Sequence, residues 1–173
     1  DTFTGATYNG VSMTLVGKTA PAAFPNRWIY LWCLLDPASG THDVVVSGTD
    51  FLASTAASYS GVAQTAPDNT ALTCLIYPAG TSHAFQITST ADNCWAMLYM
   101  RSDNWYYTST PDAVERGTGD DFASWIFDTN GAITPAGTAT ITVGGSGNSD
   151  YSGVMATLAP FVADTSPNAF GQA

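Results

Sequence analysis

The chain has 173 residues, of which 45% are hydrophobic, 12% aromatic and only 10% charged, and its formal net charge is −10. A chain of this size can build one sizeable core, so a single domain over residues 1–173 is expected and intrinsic disorder is excluded. Four Lys and Arg residues against 14 acids exclude a basic surface for phosphate backbones. The sequence therefore predicts no nucleic-acid partner and no membrane partner.

The polar residues of the chain favour strands and turns over helices. There are 24 Thr, 15 Ser and 13 Asp residues, but only one Glu, one Lys, three Arg and three Gln. The second group fills exposed helix faces, whereas Thr suits strands, and Asp and Ser suit turns. This composition predicts an all-β protein of about ten strands, arranged as a two-sheet antiparallel β-sandwich that is jelly-roll-like.

In chain order, residues 1–7 are predicted to be an N-terminal arm that precedes a core over residues 8–161. Residues 8–16 alternate apolar and polar positions, which is typical of a half-buried strand. Residues 28–35 are apolar on both faces and are predicted to be a central strand at the core of the sheet. Residues 36–40, with Pro37 and Gly40, predict a tight turn that pairs this strand with residues 41–47 as a hairpin.

The rest of the chain contains further short strands and one long segment without strand periodicity. That segment, residues 103–121, is predicted to be a functional or mobile loop, and residues 144–149 a hairpin tip. Either residues 1–7 or the tail over residues 162–173 are predicted to contact a neighbouring subunit. The further strands are predicted at residues 53–59, 71–77, 84–88, 94–100, 124–128, 138–143 and 154–161.

The three cysteines lack the spacing of a structural zinc site, since no CxxC pair and no Cys/His ligand pattern occurs. A disulfide between Cys74 and Cys94, with Cys33 as a free thiol, is one interpretation, because Cys74 and Cys94 both lie in flanking strand-like runs. The other interpretation is three buried reduced thiols that behave as small hydrophobic residues. The sequence leaves both open.

The candidate recognition surface is the loop over residues 103–121, because Trp105, Tyr106 and Tyr107 are adjacent there. Aromatic faces stack on sugars and on protein partners, although packing beneath the loop is the alternative. Asp120 and Asp121 are candidates for a calcium site, since Ca²⁺ prefers oxygen ligands, and a solvated acidic loop is the alternative. The remaining tryptophans lie in strand-like runs and are predicted to be core residues: Trp28, Trp32, Trp95 and Trp125.

Four segments, taken in order, resemble a known module. They are YNGVSMT (8–14), LWCLLDPASGTHDVVV (31–46), YSGVAQT (59–65) and YSGVMATLAPF (151–161). The series is similar to a concanavalin-like or jelly-roll β-sandwich module that recurs in bacteriophage structural proteins and in bacterial surface or secreted proteins. One or two strands precede the first segment in that module, whereas only seven residues precede it here. The fold is then trimmed at one edge, or another segment or chain supplies the missing strand.

No pattern in the chain predicts catalysis or a bound cofactor. The two histidines lack a nucleophile motif, so a Ser-His-Asp site is not expected, and the resembled module has no catalytic signature. A pair of carboxylates for glycoside hydrolysis is the alternative. It would come from Asp112, Glu115, Asp120 and Asp121.

These features predict a non-enzymatic virion structural protein, such as a phage capsid decoration, head-fibre or tail-associated subunit. Its partners would be further copies of itself, or a major shell or tail protein, in a symmetric assembly. The alternative is a carbohydrate-binding or adhesive module of a bacterial surface or secreted protein, with glycans as partners. Either function places the chain on a virion surface or outside the cell.

Overall fold

The computed structural model describes residues 3–20, 28–49, 54–75, 82–102, 107–109, 113–119, 124–145 and 151–162. In strands, the side chains of residues 73–75, 107–109, 145 and 151 lie outside this description. The described residues form only strands, turns and irregular segments, and within them no helix is long and apolar enough to cross a membrane. The strands are β1 (Phe3–Tyr8), β2 (Val11–Ser12), β3 (Thr14–Thr19), β4 (Ile29–Cys33), β5 (Val44–Gly48), β6 (Asn69–Leu75), β7 (Ser82–Thr88), β8 (Trp95–Ser102), β9 (Tyr107–Ser109), β10 (Val114–Thr118), β11 (Ser124–Asp128), β12 (Thr138–Gly145) and β13 (Tyr151–Leu158).

An antiparallel sheet of five strands, in the order β10-β11-β8-β13-β6, lies at the centre of the molecule. All five residues of β11 are buried, and most of β8 is buried as well. A strand that is buried throughout must be covered on both faces of its sheet, because successive side chains point to opposite faces. The all-β prediction is therefore confirmed, and the central sheet has a layer on each side.

One face of the central sheet packs on a three-stranded sheet in the order β7-β12-β9, which gives the sandwich. Strand β7 alternates strictly between exposed and buried residues, so Phe85 and Ile87 enter the core while its other face is solvated. They meet Leu98, Met100 and Phe127 of the central sheet in one cluster. This inter-sheet cluster is the main hydrophobic core.

The opposite face of the central sheet is covered by the two-stranded β3–β4 ribbon. Ile29 and Leu31 of β4 pack on Met97, Ile126 and Val154, which form a second cluster on that face. Neighbouring side chains leave little room at β3, since a Cβ at position 17 would lie 3.0 Å from Val154 Cγ1. The glycine that stands there allows this close approach of ribbon and sheet.

A third sheet, β2-β1-β5, shows why the first predicted strand was misplaced. Asn9 and Gly10 have φ values of 50° and 74°, the pair of positive angles that a two-residue hairpin turn of type I′ requires. Tyr8 and Val11 are therefore paired across this turn, and residues 8–16 do not form one strand. Residues 3–7, predicted to be an arm, form most of β1 and pair with β5.

Other predicted connections differ in the structure because strand pairing joins distant segments. Strand β4 pairs with β3 and β5 pairs with β1, so the turn at residues 36–40 does not close a hairpin. Strands β12 and β13 lie in different sheets, so they do not form the hairpin predicted around residues 144–149; Gly144 and Gly145 belong to β12, and residues 146–149 lie outside the described residues. Residues 54–59 form no strand, and the predicted loop at 103–121 includes β9 and β10.

Candidate functional site

A cleft of about 740 Å³ opens beside the β3–β4 ribbon. Its floor is the outer face of the central sheet, where Met97, Tyr99 and Ile126 lie, and its walls include β4 and residues 54–59. The ribbon is only two strands wide and packs on β6, β13 and β8, so it does not cover the whole five-stranded sheet. Clefts of this volume, lined by apolar and aromatic side chains with a few polar groups, are typical of ligand-binding sites.

Three aromatic side chains form a row along β4 within this cleft. Trp28, Tyr30 and Trp32 occupy alternate positions, so all three project from the face of the strand opposite to Ile29 and Leu31. The ring centroids of Tyr30 and Trp32 are 6.2 Å apart with an interplanar angle of 16°, and those of Trp28 and Tyr30 are 6.3 Å apart. All three side chains are half-buried and line the cleft. We call these three residues the aromatic row.

Two further side chains hold the aromatic row in place. The Phe3 ring of β1 meets Tyr30 edge to face, with centroids 5.4 Å apart. The Lys18 ammonium lies 5.2 Å from the centre of a Trp28 ring, within the range of a cation–π interaction. Sheet β2-β1-β5 and strand β3 therefore restrain the rings from two sides, which lowers the entropy that a ligand would lose by stacking on them.

Tyr8, which also lines the cleft, connects it to the turn over residues 36–42. The Tyr8 hydroxyl donates a hydrogen bond of 3.0 Å to the Gly40 carbonyl oxygen, and its ring meets His42 edge to face at 5.4 Å. The φ of Gly40 is +107°, a backbone conformation that an L side chain rarely adopts. This turn is thus fixed beside the cleft, although it does not join two paired strands.

The polar part of the cleft floor lies where three central strands run side by side. Arg101 of β8 is in register with Ser124 of β11 and with Ser152 of β13, so the three side chains share one face of the sheet. Both serines are 2% exposed, and neither hydroxyl has a hydrogen-bond partner. Arg101 and Ser124 line the cleft. We call these three residues the Arg101 cluster.

A second polar cluster lies beside the cleft, and its positive and negative side chains form an ion pair with each other. The Arg116 guanidinium binds the fully buried Asp128 carboxylate with two hydrogen bonds, from Nε to Oδ2 at 2.6 Å and from an Nη to Oδ1 at 3.0 Å. A bulge in β10 between Glu115 and Gly117 lies at Arg116. Burial, together with the Asp128 charge, raises the pKa of Tyr59 well above its usual range. Asp128 is thus engaged in a structural ion pair.

The sequence-predicted recognition residues are only partly described by the structure. Trp105, Tyr106, Asp120 and Asp121 lie outside the described residues, and of Tyr107 only the backbone is described, in β9 opposite Gly145. In the described part of the chain, no group of three or more His, Cys, Asp or Glu side chains is placed to hold a metal ion. The aromatic loop and the calcium site therefore stay predictions.

The predicted Cys74–Cys94 disulfide is wrong, because strand register separates the two residues. Cys74 lies opposite Ser152 near the start of β13, whereas Cys94 immediately precedes Trp95, which lies opposite Leu158 at its end. Six residues of strand separate those positions by roughly 20 Å, far beyond the ~7 Å limit between bridged Cα atoms. Cys94 is a buried free thiol, and burial raises its pKa.

Sequence reasoning missed the aromatic row because it assigned Trp28 and Trp32 to the core. Of the four tryptophans predicted there, Trp125 is deeply buried at 4% exposure, whereas Trp28, Trp32 and Trp95 are half-buried. The usable signal was the alternation in WIYLW at residues 28–32, where aromatic residues occupy one face and aliphatic residues the other. Such a strand has two different surfaces, of which only the aliphatic one packs on the central sheet.

Comparison with known proteins found no matching family model, no matching curated protein and no matching solved structure. Functional assignment therefore depends on the geometry of the cleft.

Proposed function

We propose that the chain is a non-enzymatic, extracellular or virion-surface β-sandwich that binds a carbohydrate in the cleft beside β4. The observation that supports this function is the aromatic row, which lines a cleft large enough for a short oligosaccharide. The apolar C–H face of a pyranose ring packs well on an aromatic face, and ring hydroxyls need nearby polar groups. Trp28 and Trp32 are four residues apart, so the row extends about 13 Å along the strand.

The arrangement of the row supports a saccharide better than a compact ligand. Neighbouring ring centroids are spaced 6.3 and 6.2 Å apart at alternate positions of residues 28–32, so they present a series of contacts to a chain of linked rings. Polar side chains that line the cleft include Tyr8, Gln64 and Ser124, and the Ser124 hydroxyl has no hydrogen-bond partner. The deeply buried Asp128 is engaged by Arg116, which supports binding rather than acid catalysis at that carboxylate.

Replacement of one ring of the row tests this function. We expect the wild-type protein to bind at least one class of glycan on an array, with affinity then measured by calorimetry. Trp32→Ala should weaken binding about 30-fold, which corresponds to the loss of ~2 kcal/mol typical of a buried aromatic contact with a ligand. Trp95→Ala is the matched control, because Trp95 is also half-buried but does not line the cleft. Absence of any glycan ligand, or equal binding by Trp32→Ala and wild type, would refute the proposal.

A second candidate function, a structural subunit of a phage particle, is favoured by strand β5. Val44 and Val45 are 46% and 54% exposed, and within the described residues β5 pairs only with β1. An open strand edge with exposed valines invites pairing with another chain. That partner would be a second copy, or a major shell or tail protein, and the resemblance to phage structural modules supports the same role.

Particle association and oligomeric state test this second function. We expect symmetric copies of the chain on a larger particle by electron microscopy of its source. In solution we expect self-association that Val45→Lys disrupts, because a charged residue on an edge strand opposes pairing. A protein that stays monomeric at high concentration and is absent from particles would refute the structural role, without affecting the glycan test.

A further inference from the structure

The chain contains two Asn-Gly steps, at residues 9–10 and 130–131. Both asparagines are exposed and both have a positive φ, 50° at Asn9 and 51° at Asn130. An asparagine that precedes glycine can lose ammonia, because no side chain on the glycine blocks the attack of its backbone nitrogen on the amide carbonyl carbon. The two steps therefore have the same reactive groups and differ only in their surroundings.

The side chain of Asn9 is open to this reaction. Its amide has no hydrogen-bond partner in the described part of the chain, whereas its backbone N–H donates to the Asp43 carbonyl oxygen at 3.1 Å. A Cβ at Gly10 would meet no atom within 4 Å. The Asn9 amide can therefore rotate, and no neighbouring atom hinders its approach to the Gly10 nitrogen.

A single peptide flip brings the reacting atoms of Asn9 and Gly10 together. Ring closure needs the Gly10 nitrogen on the same side as the Asn9 Cβ, which corresponds to a ψ of about −120° at Asn9, as at the first central residue of a type II′ turn. Turns of type I′ and type II′ share a positive φ at that residue, and both close two-residue hairpins. The flip therefore exchanges them while Tyr8 stays paired with Val11. Gly10 tolerates the negative φ that results.

The second step, at Asn130, is held by three hydrogen bonds. An Nη of Arg116 donates to Asn130 Oδ1 at 3.3 Å, and the Asn130 N–H donates to Asp128 Oδ1 at 2.8 Å. The Thr129 hydroxyl donates to the Gly131 carbonyl oxygen at 2.8 Å. Rotation of the amide or of the peptide plane would break bonds to charged groups, which are stronger than bonds between neutral groups. Asn130 is therefore protected, although it has the same neighbour in the sequence.

We propose that Asn9 is a site of spontaneous deamidation that alters one wall of the cleft. The Gly10 nitrogen loses its proton and attacks the side-chain carbonyl carbon, and the amide leaves as ammonia, so that a succinimide forms. Water then opens the ring at either carbonyl, which gives aspartate or isoaspartate. Isoaspartate carries the side-chain methylene in the main chain, so the turn loses its two-residue geometry. Tyr8, which bonds Gly40 and packs on His42, is then displaced from the cleft.

Peptide mapping by mass spectrometry, after incubation of the protein in mildly alkaline buffer, tests the proposal because exchange of NH₂ for OH raises the peptide mass. We expect Asn9 to react about tenfold faster than Asn130 or more, since Asn130 must first break hydrogen bonds to charged groups. In concentrated urea the two rates should converge, because both steps are then unfolded. Equal rates in the folded protein, or a faster reaction at Asn130, would overturn the proposal.

Two variants test the protection and its consequence. Arg116→Leu should accelerate the reaction at Asn130 and leave the rate at Asn9 unchanged; Thr129→Val provides the same test if Arg116→Leu does not fold. Asn9→Gly cannot react and keeps the turn, because Gly-Gly suits type I′. The NMR signals of Tyr8 and His42 should shift in aged wild type and stay unchanged in aged Asn9→Gly. Unchanged signals in wild type that contains isoaspartate would refute the effect on the cleft.

Discussion

Gly153 allows the two sheets of the sandwich to approach closely, so replacement by alanine should destabilise the fold measurably. A Cβ at this position of β13 would lie 2.8 Å from Phe85 Cε1 and 3.0 Å from Leu98 Cδ1. Ordinary contacts of a Cβ begin at 3.4 Å, so the Phe85 ring would have to move by about 0.6 Å. Phe85 and Leu98 are both fully buried at the centre of the main core, where such a movement displaces further neighbours.

Two effects of opposite sign determine the magnitude for Gly153→Ala. Overpacking of a well-packed core costs about 1–3 kcal/mol. Alanine also lowers the entropy of the unfolded chain and stabilises by about 0.4–1 kcal/mol where the backbone tolerates it. The expected net loss is about 1–2 kcal/mol, which lowers the melting temperature by roughly 3–6 °C for a chain of this length.

Urea unfolding followed by tryptophan fluorescence, together with thermal melting, measures this effect. Gly5→Ala is the matched control, since Gly5 also lies in a strand but a Cβ there would meet no atom within 4 Å. We expect Gly5→Ala to melt at or slightly above the wild-type temperature. Gly153→Ala with Phe85→Leu should lose less stability than the two single changes together, because the shorter side chain relieves the clash. A Gly153→Ala variant as stable as Gly5→Ala would refute the packing argument.

Two further predictions concern the ion pair and the loop that follows β7. Arg116→Leu leaves the fully buried Asp128 carboxylate without its guanidinium, so the free energy of unfolding measured in urea should fall by about 2–3 kcal/mol. This is the lower end of the range for buried ion pairs, because the Arg116 side chain is 35% exposed. Full stability of this variant would contradict the role of the pair. Hydrogen bonds from Thr90 lower the pKa of Asp68 below 3.8, so the stability they contribute is present above that pH and is lost as the pH falls through the lowered value. Wild type should therefore lose more stability than Asp68→Asn between pH 5 and about 2 in thermal melts, and parallel profiles would contradict this linkage.

The sequence located best those strands that are buried on one face only or equally on both faces, because each case gives a simple hydrophobic pattern. Residues 124–128 were predicted with the bounds that β11 has, because SWIFD is a short apolar run ended by a turn. Residues 84–88 were predicted to be a strand, and they form most of β7, whose residues alternate between exposed and buried positions. Such local patterns indicate which residues of a strand are buried, and this burial depends on the sheets that pack directly on the strand.

Strand pairing could not be predicted in the same way, because it depends on register between distant segments. The Asn9–Gly10 turn was a local signal that was overlooked, but nothing near residues 29–33 indicates that β4 pairs with β3 rather than with β5. The positions of Cys74 and Cys94 at opposite ends of β13 likewise follow from pairing over long distances in the chain. Composition fixes the all-β class, whereas these contacts fix which side chains meet.

The location of the cleft follows from the unequal width of the layers on the central sheet. Five strands are covered on the outer face by a ribbon of two, and residues 54–59 pass beyond that ribbon without strand pairing. The uncovered part of the sheet retains the buried Ser124 hydroxyl, which lines the cleft and has no hydrogen-bond partner, an arrangement that a fully packed core would exclude because of its desolvation cost. Buried polar groups without partners persist where a ligand can satisfy them, so we expect recognition to occur at this face.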